Sequence, residues 1–160
     1  GVIIVEESVF IGPYAVIRAD ETDENGHIEP ITIGANSNIQ DGVVIHSKAG
    51  GRVTIGQKTS IAHRAIVHGP CTIGNNVFIG FNSVLFNCTV ADGCVVRYNA
   101  VVDGCHLPAG FYVNSTERIG PDTDLQALPA VSSKESEFSE SVVETNNALV
   151  QKYKHIQNEF

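Results

Sequence analysis

An aliphatic residue recurs at every sixth position through much of this chain, and no other feature constrains the fold as strongly. The longest unbroken run is Ile55, Ile61, Val67, Ile73, Ile79 and Leu85. The same spacing occurs at Val5, Ile11 and Ile17, at Ile33, Ile39 and Ile45, and with single-residue slips as far as Ile119. A period of six fits neither a helix nor a long alternating strand. It predicts a parallel β-helix, in which three hexapeptides form one triangular coil.

The repeat also predicts how the chain is divided. Polar insertions at residues 21–30 and 47–52 interrupt the period and are expected to form external loops. We predict an all-β main domain, the β-helix, over residues 1–120, a connector over 121–132, and a C-terminal amphipathic helix over 133–160. The apolar positions that indicate this helix are Phe138, Val142, Leu149, Tyr153, Ile156 and Phe160. The helix is expected to pack along the outside of the coil or against a neighbouring molecule.

Composition limits the classes of partner. The chain has 160 residues, enough for one domain with its own core, and a formal net charge of −8. An acidic surface argues against nucleic acid and anionic membranes as partners. No apolar run approaches the roughly 18–20 residues that span a bilayer. Four scattered cysteines and no secretory signal favour the cytoplasm, or an organellar matrix if a targeting segment has been removed.

Three polar residues occupy equivalent positions in successive coils. Arg18, His46 and His68 each follow the third aliphatic residue of their coil. They are therefore expected to form a ladder on one face, with rungs about 4.8 Å apart. Two imidazoles on adjacent rungs can bring their nitrogens close enough to bind one tetrahedral zinc ion.

A second ladder lies on the adjoining face. Asp41 and His63 each follow the second aliphatic residue of their coil by two positions. A corner separates His63 from His46 and His68, so one chain is poorly arranged to bind a single metal ion through all three histidines. A site shared between chains removes this difficulty, and the triangular cross-section suggests a homotrimer. Histidine ligands suit zinc, although iron or cobalt would also fit.

Three sequence blocks resemble the γ-class carbonic anhydrases. They are RADE at residues 18–21, SNIQDGVVIH at 37–46, and SIAH at 60–63 with VHGP at 67–70. The resemblance extends over nearly the whole chain. It implies a left-handed parallel β-helix with a C-terminal helix, assembled as a homotrimer. It also implies zinc-dependent hydration of CO2 to bicarbonate at an interface between subunits.

The resemblance further implies roles for individual residues. His46 and His68 would bind zinc from one chain, and His63 would come from its neighbour. Gln40 would hydrogen-bond the zinc-bound hydroxide or the substrate, and Glu21 would lie near bicarbonate and assist proton movement.

Four further positions match family residues around the site. Arg18 and Asp20 resemble an ion pair across the subunit interface, and Asp41 would orient neighbouring groups. Asn146 aligns with a family asparagine near the CO2 site.

The sequence departs from the family pattern at the proton shuttle. The loop after His46 is short, and Ala49 stands where the family has a shuttle glutamate. Glu144 replaces a tyrosine that lines the site. We therefore predict that Glu144 or Glu21 relays protons, or that turnover is slow and depends on buffer.

Two alternative functions and one disulfide remain open at this stage. The chain could be a γ-type scaffold that has lost turnover, or an acyltransferase, since hexapeptide acyltransferases share the coil. Cys88 and Cys105 are almost one coil apart and could form a disulfide. The remaining histidines, His27, His106 and His155, have no placement that indicates a site.

Overall fold

Three parallel six-stranded sheets form the walls of a triangular β-helix in the computed structural model, which describes residues 1–157. The strands in chain order are β1 Ile3–Val5, β2 Phe10–Ile11, β3 Val16–Arg18, β4 Ile31–Ile33, β5 Asn38–Ile39, β6 Val44–Ser47, β7 Val53–Ile55, β8 Ser60–Ile61, β9 Ile66–Gly69, β10 Cys71–Ile73, β11 Phe78–Ile79, β12 Val84–Phe86, β13 Thr89–Val90, β14 Val95–Val96, β15 Val101–Asp103, β16 His106–Leu107, β17 Tyr112–Val113 and β18 Arg118–Ile119. A 3-10 turn at Leu125–Ala127 and one α-helix, α1, at Ser133–Gln157 follow.

Each wall takes one strand from every coil. Face A is β1-β4-β7-β10-β13-β16, face B is β2-β5-β8-β11-β14-β17, and face C is β3-β6-β9-β12-β15-β18. All pairings within these sheets are parallel, and each strand pairs with the strand three places along the chain. The predicted fold class, a parallel β-helix with a C-terminal helix, is confirmed.

The six-residue repeat places one aliphatic side chain per strand in the interior. Ile33, Ile39 and Ile45 form one fully buried layer, and the next coil contributes a layer in the same register. Burying such a side chain contributes about 1.5–3 kcal/mol. The first coil is less covered, because Val5 and Ile11 remain 43% and 44% exposed.

The corners between faces A and B require left-handed backbone. Asn36, Lys58 and Asn76 occupy equivalent corners with φ of 60°, 51° and 54°. Asparagine tolerates this conformation better than most residues, which explains its recurrence there. Ala35-Asn36 and Asn75-Asn76 therefore form corners of the coil.

Helix α1 lies along face B, where it contacts β2, β5, β8 and β14. Its first turn is capped by Ser132, whose Oγ accepts a hydrogen bond from the backbone N–H of Glu135 at 3.4 Å. Its buried residues are Ser139, Val143, Asn146 and Val150.

This buried stripe differs from the one indicated by the apolar pattern. Phe138, Tyr153 and Ile156 remain 37%, 55% and 49% exposed, and Phe160 lies outside the described residues. Phe138 instead packs its ring edge against Phe78, with centroids 5.3 Å apart. The large side chains thus lie at the flanks of the contact, and smaller ones face the sheet.

The four cysteines are free thiols in the structure. The disulfide considered between Cys88 and Cys105 is not formed, and the sulfur of Cys88 lies 3.9 Å from that of Cys71. This thiol contact, together with burial, raises the pKa of Cys88, whereas the hydrogen bond from Cys88 lowers the pKa of Cys71. Within residues 1–157, no helix combines the length and apolar character needed to cross a membrane.

Candidate metal centre

His46 and His68 lie on adjacent rungs of face C, as the repeat predicts. Their Cα atoms are partners in the β6–β9 register, and Nδ1 of His46 lies 3.3 Å from Nε2 of His68. Nδ1 of His68 lies 3.1 Å from the carbonyl oxygen of Gly69. Since a carbonyl only accepts hydrogen bonds, we assign the proton of His68 to Nδ1, which leaves its Nε2 as an acceptor.

Charged groups surround the other nitrogen of His46. Nη2 of Arg18 lies 3.1 Å from Nε2 of His46, Oε1 of Glu21 lies at 3.3 Å and Oδ1 of Asp20 at 3.5 Å. The His46 side chain is only 12% exposed, whereas both carboxylates are nearly half exposed. Within the chain, Arg18 and Asp20 also contact each other at 3.5 Å, and an ion pair between subunits stays a prediction.

The two external loops hold Glu21 against His46. Oε2 of Glu21 accepts a hydrogen bond from the backbone N–H of Ala49 at 3.0 Å, while Oε1 faces the imidazole. The same loops are joined by an ion pair of 2.8 Å between Arg52 and Glu29. The loop that lacks the family's shuttle glutamate therefore orients a different glutamate.

His63 lies at the corner between faces B and C, next to Asp41. Its Nδ1 is 3.7 Å from Oδ2 of Asp41 on the preceding coil, and its ring packs 5.3 Å from that of Phe81. The predicted equivalence of Asp41 and His63 follows the register, because Ile39 pairs with Ile61. The described contacts of His63 do not include His46 or His68.

Gln40 is held on face B by a residue that the sequence analysis missed. Nε2 of Gln40 donates to Oδ1 of Asn38 at 3.0 Å, and Nδ2 of Asn38 donates to the Ser60 hydroxyl at 2.7 Å. Asn38 and Ser60 are fully buried, and Gln40 is 5% exposed. Asn38 directly precedes the inward-facing Ile39 in a central strand. A polar residue at that position was the feature of the sequence that could have identified Asn38.

Asn146 and Glu144 lie on different sides of α1. Asn146 is buried, and its Nδ2 donates to the carbonyl of Val142 at 2.8 Å. Glu144 lines a cavity of about 320 Å³ together with Lys58 and Asn76, at the corner of faces A and B. In the described part of the chain, Glu144 is not among the groups that contact His46.

The residues present fit a tetrahedral metal ion in two respects. Nitrogens bound to zinc at about 2.0–2.1 Å and tetrahedral angles lie about 3.3–3.4 Å apart, which matches the separation between His46 and His68. In addition, Oε1 of Gln40 is buried with no hydrogen-bond partner among the described residues. Such an acceptor is suited to a donor such as a bound water molecule.

A single chain does not complete the centre. Within residues 1–157, no group of three or more His, Cys, Asp or Glu side chains is arranged to hold a metal ion. Beside the histidine ladder, five successive outward positions of face C are apolar before Arg118 ends the column: Val16, Val44, Ile66, Val84 and Val101. Val16 and Ile66 are 48% and 39% exposed, and Phe86, which stacks near His68, is 43% exposed. An apolar column of this kind is typical of a surface that another protein covers.

Comparison with known proteins first gives the class. A family profile described as "Bacterial transferase hexapeptide (six repeats)" matches residues 52–87. The solved structure of a hexapeptide transferase family protein from Anaplasma phagocytophilum superposes with a TM-score of 0.75 at 25% identity, covering 96% of this chain and 82% of that one. The fold and these matches define a hexapeptide-repeat protein.

Relatives then give the family. The carbonic anhydrase of Methanosarcina thermophila is 30% identical over 175 residues, covering 96% of this chain and 68% of that protein. The chain belongs to the γ-class carbonic anhydrase family. The carboxysome assembly protein CcmM of Nostoc sp. is 37% identical over 159 residues, covering 93% of this chain. This chain spans only 28% of that CcmM.

Proposed function

We propose that the chain catalyses the reversible hydration of CO2 to bicarbonate at zinc sites shared between the subunits of a homotrimer. The observation that carries the proposal is the split ligand set. His46 and His68 lie 3.3 Å apart on one face, and His63 lies with Asp41 at the next corner. Family membership supports the same reaction, since one relative is a carbonic anhydrase.

The three histidines would hold the metal ion. Zinc with three protein ligands keeps an open position and lowers the pKa of its bound water towards about 7, which supplies hydroxide as the nucleophile. The hydrogen bond from Nδ1 of His68 to the carbonyl of Gly69 fixes that ring, and the carboxylate of Asp41 lies 3.7 Å from Nδ1 of His63, where it would orient that ring.

Gln40 would orient the small-molecule substrate. Its amide nitrogen is committed to Asn38, so its free oxygen faces a fixed direction. This oxygen would accept a hydrogen bond from the attacking oxygen and so orient it towards the carbon of CO2. The buried pair of Asn38 and Ser60 keeps Gln40 from rotating away.

Glu21 would carry the proton from the site to bulk water. Its Oε1 lies 3.3 Å from Nε2 of His46, the ring nitrogen that does not face His68, and its side chain is 46% exposed. A proton taken up at Oε1 can therefore pass to solvent or buffer. Glu144 lines a separate cavity in its own chain, so a relay role for Glu144 would need the centre of a neighbouring subunit.

The competing functions have specific support as well. The match to the carboxysome assembly protein CcmM favours the scaffold alternative, a domain that assembles with other proteins. The transferase profile over residues 52–87 favours the acyltransferase alternative, whereas the two histidines 3.3 Å apart on face C favour metal binding.

Metal content and CO2 hydration of the purified protein, before and after His63→Ala, test the proposal. We expect metal and hydration in the parent and loss of both in the variant. A parent with no metal and no hydration would contradict the enzyme function. Full metal occupancy in the variant would contradict the shared site.

A further inference from the structure

Three cysteines form a ladder of their own at the corner between faces C and A. Thr72 pairs with Thr89 and Thr89 with His106, so the residues before them, Cys71, Cys88 and Cys105, occupy successive rungs. Parallel strands lie about 4.8 Å apart, within the 4.4–6.8 Å between Cα atoms that a disulfide requires. The proposed hydration mechanism uses none of these thiols.

The two buried thiols, those of Cys71 and Cys88, are already in contact. The sulfurs of Cys71 and Cys88 are 3.9 Å apart, and these residues are 2% and 5% exposed. Rotation of the side chains would close this gap to the roughly 2.05 Å of a disulfide. Burial protects such a bond from reduction once it has formed.

The third thiol provides access to the other two. Cys105 is partly exposed, and it lines a surface cleft of about 420 Å³ together with Cys71 and Cys88. Arg52 and His106 line the same cleft, and the Arg52 guanidinium is paired there with Glu29 at 2.8 Å. The cleft opens to solvent, so a small-molecule disulfide, of which glutathione disulfide is an example, can reach Cys105 there.

We propose that Cys71, Cys88 and Cys105 form a thiol–disulfide exchange site that accepts a small-molecule disulfide at Cys105 and ends as a disulfide between Cys71 and Cys88. Burial raises the pKa of the Cys105 thiol, so exchange proceeds through the fraction present as thiolate. That thiolate attacks the small disulfide, forms a mixed disulfide and releases one small thiol. Cys88 then attacks the sulfur of Cys105 and releases the second small thiol. Finally, Cys71 attacks the sulfur of Cys88 and returns Cys105 to a thiol. Two protein thiols lose two electrons, and one small disulfide becomes two thiols.

Exchange at this site has a consequence for the neighbouring histidine. The thiol of Cys71 donates a hydrogen bond to the carbonyl oxygen of His68 at 3.3 Å. A disulfide removes that donor. The exchange itself does not depend on metal binding or CO2 hydration, so it stands or falls separately from the proposed function.

Peptide mapping of the full chain tests the proposal directly. The folded protein is incubated with glutathione disulfide, quenched by alkylation and digested. Trypsin leaves Cys71, Cys88 and Cys94 in one peptide, residues 65–97, and Cys105 in another, residues 98–118. A bond between Cys88 and Cys105 therefore joins two tryptic peptides, whereas a bond between Cys71 and Cys88 joins none. Chymotryptic cleavage after Phe78 or Phe81 then separates Cys71 from Cys88 and identifies the linked pair.

We expect a Cys71–Cys88 link, with Cys94 and Cys105 alkylated. We also expect Cys105→Ser to slow its formation by about tenfold or more, and Cys88→Ser to stop at a mixed disulfide on Cys105. Cys94→Ser is the matched control and should oxidise as the parent does. Accumulation of a Cys88–Cys105 link, an unchanged rate in Cys105→Ser, or oxidation only in denaturant would overturn the proposal. The parent mapping needs no variant, so misfolding of a variant does not remove the test.

Discussion

Nδ1 of His46 lies 3.3 Å from Nε2 of His68 across two adjacent coils, and Nδ1 of His68 is held by the carbonyl of Gly69. The stacking of identical coils brings the two imidazoles together, because each follows the same aliphatic position of the repeat. A metal ion bound by both rings would use the two nitrogens that now face each other, Nδ1 of His46 and Nε2 of His68. Metal binding would therefore replace the contact between these nitrogens. The histidines are therefore positioned before a metal ion arrives.

Asp41→Asn is expected to weaken metal binding without removing a ligand. Asp41 lies 3.7 Å from Nδ1 of His63, and losing such an orienting carboxylate costs about 10–100-fold in metal affinity. Competition with a chelator measures this affinity. Asp124→Asn is the control, because it removes the same charge at the cap of the 3-10 turn, where asparagine also caps well. Equal affinities for the two variants would contradict the orienting role.

Glu21→Gln is expected to lower the turnover number at low buffer concentration by at least about tenfold, since a positioned proton-transfer group contributes about 10²–10⁴-fold. Added imidazole buffer should restore part of the rate. Glu144→Gln is the matched comparison, because Glu144 lines a separate cavity. Stopped-flow CO2 hydration measures both. If Glu144→Gln lowered the turnover number and Glu21→Gln left it unchanged, the proton relay would be assigned to Glu144 and not to Glu21.

The layered core predicts a difference in stability between central and terminal coils. Ile61 is fully buried, and Ile61→Ala should lower the free energy of unfolding by about 2–5 kcal/mol. Ile11 holds the equivalent position in the first coil but is 44% exposed, so Ile11→Ala should cost clearly less. Urea denaturation compares the two. Equal losses would show that the first coil is as tightly packed as the centre.

A pH dependence of stability follows from Cys94. Burial raises the pKa of its thiol, which also donates a hydrogen bond to the carbonyl of Pro108 at 2.9 Å. In the unfolded chain this thiol ionises near pH 8.5, whereas in the folded chain it stays protonated to higher pH. Its contribution is therefore complete below about pH 8.5 and is lost as the pH rises towards the folded pKa. Cys94→Ser should lose less stability between pH 8 and 10 than the parent, and a steeper loss in the variant would refute this.

Much of the fold follows from periodicity alone. The aliphatic residue at every sixth position determines which side chains face inward, and the strands repeat in that register. The helix was harder to place, since its apolar residues indicated a stripe through Phe138 and Tyr153, whereas the buried stripe contains Ser139 and Asn146. The surface of face B, with Ala62, Phe78 and Val95, decides which helix residues fit, and local sequence does not contain that information.

In the candidate site, too, some features follow from the repeat and others depend on packing. The positions of His46, His68, Asp41 and His63 follow from the register, because each has a fixed offset from the repeat. The support of Gln40 by Asn38 and the contact between Glu21 and the backbone of Ala49 depend on side-chain rotamers and loop conformation. The repeat specifies neither. The sequence also does not tell which cysteine contacts Cys88, because Cys71 and Cys105 are the same number of residues away from it. The packing of the coil shows that the contact is with Cys71.

Mixed trimers test the shared centre most directly. Chains carrying His63→Ala and chains carrying His68→Ala are coexpressed with different affinity tags, and trimers containing both tags are purified. If His46 and His68 of one chain meet His63 of the next, any mixed trimer keeps one intact centre of three, whichever chain is in the majority. We expect about one zinc ion per mixed trimer, with matching CO2 hydration, and neither in the two single-variant proteins. Mixed trimers with no more metal or hydration than the single-variant proteins would contradict a site shared between subunits.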